Sequence, residues 1–191
     1  ETIPEIVYAD SISADQSGNV AAVTNEGDFY LLHGTQIVTC MTAEKAGEFY
    51  NCCAFDEEGR LYLGTSSNRI EVYEIAENRI EKQTTLVCGE LKDINSITIS
   101  EDHVIFVCAD NGIGYFRTRG NYCSIDTDSF NSSIDHMLID YQGNLWFTSS
   151  RLGLLRMCPS VFSEIYEEAG LEENVDRKST RLNSSHLCVS R

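Results

Sequence analysis

Four polar residues stand at one repeating place in this chain. Asp10, Asn51, Asn95 and Asp135 each lie five residues before a turn-forming anchor, respectively Asp15, Asp56, Ser100 and Asp140. Carboxylate and carboxamide groups at an equivalent position could form a polar ring that hydrogen-bonds a sugar or coordinates a cation. The competing reading is that these short side chains cap the turn entering a strand. Other chemistry is sparse. His33, His103 and His136 fall at different places relative to the anchors and have no metal-ligand spacing. There is no Gly-x-Ser-x-Gly elbow and no phosphate-cradling loop. This reading assigns no catalytic residue, no metal site and no cofactor, and expects the chain not to be an enzyme.

The anchors belong to a repeat. They are 41, 44 and 40 residues apart, the period of a four-stranded propeller blade. Three of the four repeats carry Asp-x-x-Gly, in which the Asp side chain caps a tight turn and Gly takes positive φ. His103 replaces that glycine in the third repeat, so a looser turn or another type is expected there. A short apolar run follows each anchor: Val20–Val23, Leu61–Leu63, Val104–Val107 and Leu145–Phe147. Continuous apolarity implies burial on both faces, as in a blade packed between two others. A second turn follows, with Gly27, Asn68, Gly112 or Gly153, where Asn68 is expected to stand in for glycine in left-handed geometry. Residues just before each anchor form the innermost strand. Third strands are expected at Phe29–Leu32, Ile70–Ile75, Ile113–Arg117 and Leu154–Met157. Outer strands are expected at Gln36–Cys40, Gln83–Val87, Tyr122–Asp126 and near Phe162–Tyr166.

The expected fold is therefore all-β: a β-propeller fragment of four blades, each a four-stranded antiparallel sheet, forming an open arc of a larger propeller. The blades span about 5–42, 47–88, 91–127 and 131–175. Trp146 occupies the aromatic slot shared with Tyr62 and Phe106 and is expected in the core.

Composition narrows the partners. The formal net charge is −16, which argues against nucleic acid, since phosphate binding wants clustered Lys and Arg. The longest wholly apolar run, Val104–Ala109, is far short of the roughly 20 residues of a membrane span. Eight cysteines show no CxxC pair. Cys40, Cys53, Cys108 and Cys123 sit among apolar residues and are expected as buried free thiols.

Residues 176–191 break with everything before them. They are basic, Ser-rich and without strand alternation. Asp176–His186 resembles a translated sequencing adapter at all eleven positions, so the segment is read as a non-native tail. On that reading the gene was cut near Val175, and missing blades of the same chain are expected partners.

The pattern Ile134-x-x-Met137-x-x-Asp140-x-x-Gly143-Asn144-Leu145-Trp146-Phe147, with Gly153-Leu154 beyond it, resembles the two-component regulator propeller repeat. That resemblance implies the ligand-sensing region of a bacterial receptor. It also implies a place outside the cytoplasmic membrane, a histidine kinase or diguanylate cyclase downstream, and a membrane reached only through missing segments. The ligand would be a small molecule, with a saccharide as one candidate, bound by Asp10, Asn51, Asn95 and Asp135. Two alternatives stand beside it: a protein-interaction scaffold, and part of a propeller lyase or glycosidase whose catalytic residues lie in other blades.

Overall fold

The repeat folds into four copies of one meander. The computed structural model describes residues 2–76, 79–116, 120–158 and 188–190. The first sheet comprises β1 (Ala9–Ala14), β2 (Asn19–Thr24), β3 (Phe29–His33) and β4 (Gln36–Met41). The second comprises β5 (Tyr50–Phe55), β6 (Leu61–Thr65), β7 (Arg69–Ala76) and β8 (Arg79–Val87). The third comprises β9 (Ile94–Ile99), β10 (Ile105–Ala109), β11 (Gly112–Phe116) and β12 (Tyr122–Ile125). The fourth comprises β13 (Ile134–Ile139), β14 (Leu145–Ser149), β15 (Gly153–Met157) and β16 (Cys188–Ser190). Spatial order follows chain order in every sheet, and every ladder is antiparallel. The chain is thus a four-bladed, open β-propeller. The segment near Phe162–Tyr166 lies outside the described residues. The outer place of the fourth sheet is taken by β16, from the segment read as a tail.

The continuous apolar runs do what two-sided burial requires. Every residue of β6 and of β11 is buried. Three cores form, one between each pair of neighbouring sheets. Phe29, Leu31, Tyr50 and Leu61 fill the first; Ile70, Ile94 and Val107 the second; Phe106, Ile113 and Phe147 the third. The inner strands β1, β5, β9 and β13 lie side by side around the axis.

The anchor turns show why Asp and a polar-tipped aromatic recur together. Asp140 accepts the backbone N–H groups of Gln142 and Asn144, each at 2.9 Å, and the indole N–H of Trp146 at 2.9 Å. Asp56 likewise accepts the N–H of Arg60 at 2.8 Å and the hydroxyl of Tyr62 at 3.0 Å. Four expectations need correction. The His103 turn is not of another type: His103 itself takes φ 59, and its N–H reaches the Ser100 carbonyl at 2.9 Å, as Gly143 reaches Asp140. Here the Ser100 hydroxyl accepts the Val104 N–H, replacing the Asp cap. Asn68 is not among the positive-φ residues; its amide donates to the Gly89 carbonyl at 2.7 Å instead. Trp146 is only half-buried, and what covers its ring is the Arg156 guanidinium, 5.4 Å from the centroid. Of the four cysteines expected as buried free thiols, Cys53 and Cys108 are buried, Cys123 is only partly buried and Cys40 is exposed.

Candidate functional site

The four polar repeat positions share a backbone device. On each inner strand the pairing register skips one residue: between Ala9 and Ser11, Tyr50 and Cys52, Ile94 and Ser96, and Ile134 and His136. The skipped residues are Asp10, Asn51, Asn95 and Asp135. Each is the extra residue of a β-bulge, which bends the strand and re-aims a side chain away from the alternating pattern. The bulges all lie where the inner strands begin, on one face of the propeller.

Three of the four residues come together there. Asp10, Asn51 and Asn95 line a cavity of about 320 Å³ with Thr24, Asn25, Phe49, Tyr50, Asp93 and Asp110. Asp135 does not join them: its carboxylate accepts the Ser150 N–H at 2.6 Å, which is the turn-capping role. Asn95 has both roles. It faces the cavity, and its amide donates to Asp110 at 3.0 Å and to the Ile134 carbonyl at 3.0 Å, tying the third and fourth sheets together. No hydrogen bond among the described residues engages the side chains of Asp10 or Asn51.

The cavity also gathers groups that the sequence reading missed. Burial, together with the neighbouring Asp110 carboxylate, raises the Asp93 carboxyl above its usual range. Asp93 sits at φ 52, and two further residues seven before an anchor, Tyr8 and Ser133, have φ 54 and 49. That left-handed entry, shared by three of the four inner strands, was readable only as a position, since Tyr8, Asp93 and Ser133 share no residue type. Phe49 is 48% exposed on the cavity rim. It is held from both sides: its N–H donates to the Ser66 hydroxyl at 3.2 Å and its carbonyl accepts the Ser66 N–H at 2.9 Å.

Tyr50 closes the cavity from within. Its hydroxyl donates to Glu71 at 2.6 Å, and the Tyr73 hydroxyl donates to the same oxygen at 2.8 Å. Glu71 is fully buried between the first two sheets. Its second oxygen lies 3.1 Å from the Lys82 ammonium, an ion pair too poorly aligned to count as a hydrogen bond. Burial disfavours the charge, but the two tyrosines and Lys82 outweigh it and hold the carboxyl below its usual range. No group of three or more His, Cys, Asp or Glu side chains suited to a metal ion occurs among the described residues. No helix among them is long and apolar enough to cross a membrane.

Comparison with known proteins leaves the family open and settles the fold. No family model matches the chain, and no curated protein matches it. A streptogramin B lyase structure superposes with TM-score 0.67 at 16% identity, over 78% of this chain and 51% of that one. The virginiamycin B lyase of Staphylococcus aureus gives 0.63 at 17% identity, over 78% and 52%. The extracellular domain of a hybrid two component system from B. thetaiotaomicron gives 0.65 at 18% identity, over 81% of this chain but 21% of that one. The chain spans about half the length of the lyase structures it matches.

These findings correct the sensor assignment. The resemblance to two-component regulator propeller repeats finds no matching family model, and two of the structures matched over half their length are lyases, whereas the two component system is matched over 21%. The expected receptor role and the expectation of a non-enzyme fall with it. The physical reason lies in the motif: a polar-tipped aromatic bonded to the turn's Asp is a way of building a blade hairpin, and any propeller can use it.

Proposed function

We propose that this chain is part of a propeller enzyme of the lyase or hydrolase type. Its substrate is a small polar molecule held where the inner strands begin. The observation that carries the reading is the bulge repeated in all four blades. Blade packing needs only the alternating residues, so an extra polar residue re-aimed in every repeat points to a task at the mouth. The similarity to two lyases supplies the reaction class.

In this reading Asp93 and Asp110 handle protons. A raised pKa lets Asp93 keep a proton closer to neutrality, as a general acid must. Asp110 is positioned by the Asn95 amide. Asn51 and Asp10 orient the substrate, and Phe49 provides an apolar rim. A lyase removes a proton from carbon and expels a leaving group, which creates a double bond without water. A carboxylate base and a protonated carboxyl supply both transfers.

The test is turnover of a panel that includes streptogramin B, the compound named in the matched lyase. New double bonds are followed by ultraviolet absorbance, and products by mass spectrometry. Asp93→Asn is expected to lower kcat by about 10²-fold or more, and Asn51→Ala to raise KM. An inert wild-type chain, or turnover indifferent to Asp93→Asn, overturns the reading.

A further inference from the structure

The segment from Cys88 to Asp93 leads out of the second sheet into the third, and each of its residues is held. The Cys88 N–H donates to the Asn68 carbonyl at 2.7 Å, and the Asn68 amide donates to the Gly89 carbonyl at 2.7 Å. The Glu90 carbonyl accepts the Asn111 amide at 2.8 Å. Leu91 is buried in the second core, and its N–H turns back to the Cys88 carbonyl at 3.0 Å. The Lys92 N–H donates to the Asn111 carboxamide oxygen at 2.7 Å. The Asp110 N–H is shared between the carbonyls of Lys92 at 3.0 Å and Asp93 at 3.2 Å. The segment thus delivers Asp93 to the cavity wall.

Part of this is the common plan of the blades. The Asn25 N–H reaches the Tyr8 carbonyl at 3.0 Å and the Ser66 N–H the Phe49 carbonyl at 2.9 Å, as Asp110 reaches Asp93. The two bonds made by the Asn111 side chain are additional. Its equivalents in the first two blades are Glu26 and Ser67. Ser67 bonds to Thr65 within its own turn at 2.9 Å, and among the described residues neither side chain bonds the segment entering its blade. The extra clamp falls on the blade whose entry residue is acidic. Asp93 sits at φ 52, a conformation that a residue with a Cβ keeps when its surroundings impose it. Asn111 grips the two residues that fix its approach. Without that grip Asp93 is free to relax to negative φ, which re-aims its carboxyl.

We propose that Asn111 is a positioning residue for Asp93: by clamping Glu90 and Lys92 with one carboxamide it holds the Asp93 carboxyl in the cavity beside Asp110. Its consequence for catalysis rests on the reading of Asp93 as the proton donor, but the placement of the carboxyl can be measured without turnover.

The test is an NMR titration of carbon-labelled aspartates in the unliganded full chain, with Asp93→Asn identifying the resonance. In the wild type Asp93 should titrate above the ordinary aspartate value, because burial and the Asp110 carboxylate disfavour its charge. Asp10 and Tyr50 are the other titratable groups lining the cavity. In Asn111→Ala the Asp93 titration should fall back toward the ordinary value. The thermal melt should stay near wild type, because Asn111 is exposed. Turnover should show kcat lower by about tenfold or more, the effect of a misplaced group, with KM within about twofold. Asn111→Asp keeps the acceptor for Lys92 and loses the donor to Glu90, so its kcat should lie between the two. An Asp93 titration unmoved by Asn111→Ala, or a rise in KM with kcat unchanged, would overturn the proposal. An inert wild type whose Asp93 titration still moves with Asn111→Ala would remove the enzymatic reading and leave the positioning role standing.

Discussion

Replacing Glu71 tests whether a buried charge ties the strands of the second sheet, β5, β7 and β8, together beneath the cavity. Glu71→Ala removes the acceptor of both the Tyr50 and Tyr73 hydroxyls and the buried partner of Lys82. Breaking a buried charged pair by deleting one partner costs about 3–5 kcal/mol. Three features of the site place the loss at the lower end. The two tyrosine oxygens are 3.2 Å apart and can bond each other. Lys82 keeps Glu44 at 2.6 Å, and Arg69, 3.8 Å from Glu71, keeps Glu48 at 2.6 Å. The expected loss is therefore about 3 kcal/mol, read by urea unfolding at neutral pH. The pH dependence follows from the lowered carboxyl of Glu71. A depressed folded-state pKa contributes stability above the unfolded-state value of about 4.3, and that stability is lost as pH falls through the folded-state value. The wild type should therefore lose more stability than Glu71→Gln as the solution is acidified below about pH 5. A Glu71→Ala change within about 0.5 kcal/mol of wild type, the range of a neutral surface substitution, would refute the reasoning. So would parallel acid profiles for the wild type and Glu71→Gln.

Three further outcomes are expected. Gly64→Ala should cost about 1–3 kcal/mol in urea unfolding, because a Cβ there would lie 2.5 Å from the Cys52 sulfur and 2.8 Å from Ile94, across the interface of the second and third sheets. Alkylation of the native chain at neutral pH, read by peptide mass spectrometry, should modify exposed Cys40 and spare Cys52, Cys88 and Cys108. Burial pushes the Cys88 and Cys108 thiols up to about 12 and Cys52 higher still. Asn51→Ala should stay within about 0.5 kcal/mol of wild type in urea unfolding, because it keeps the bulge and alters only the mouth; a larger loss would count against a role confined to the mouth.

The blade plan was legible because turn chemistry is local. Asp-x-x-Gly fixes a hairpin through its own side chain and one positive φ, so four anchors were enough to place the strands to within a few residues. The bulges were not legible, since a skipped residue is defined by what the partner strand does. Asp10, Asn51, Asn95 and Asp135 could be recognised as equivalent, yet not as the odd residue in each ladder. Glu71 was hidden for a similar reason. In Arg69-Ile-Glu-Val-Tyr73 it reads as the solvated half of an alternating strand, but both faces of that strand are covered. Its partner Tyr50 comes from the inner strand of the same sheet, two strands away, and has no fixed spacing from it. The His103 turn shows the opposite error: a missing glycine suggested a different turn, but the ladder on either side imposed the same one at the cost of a strained residue.

The bulge is what makes one strand serve two purposes. Beyond it, from Cys52 to Phe55, alternate residues face the two neighbouring sheets and build cores. Were Asn51 paired in the ladder instead of skipped, that alternation would continue to the strand's start and put Tyr50 on the opposite face. With the bulge, Tyr50 stays on the face of the first core, bonded to Glu71, and Asn51 is released toward the cavity. The same count operates at Asp10 and Asn95. At Asp135 the released carboxylate folds back onto Ser150 instead, so the fourth blade has the device without its use at the mouth. The mouth is therefore built asymmetrically on a symmetric plan. Asp93 and Asp110 belong to the third blade, Phe49 and Asn51 to the second, and Asp10 and Asn25 to the first. Equivalent backbone positions carrying unlike side chains allow a repeat fold to present distinct chemical groups to one bound molecule.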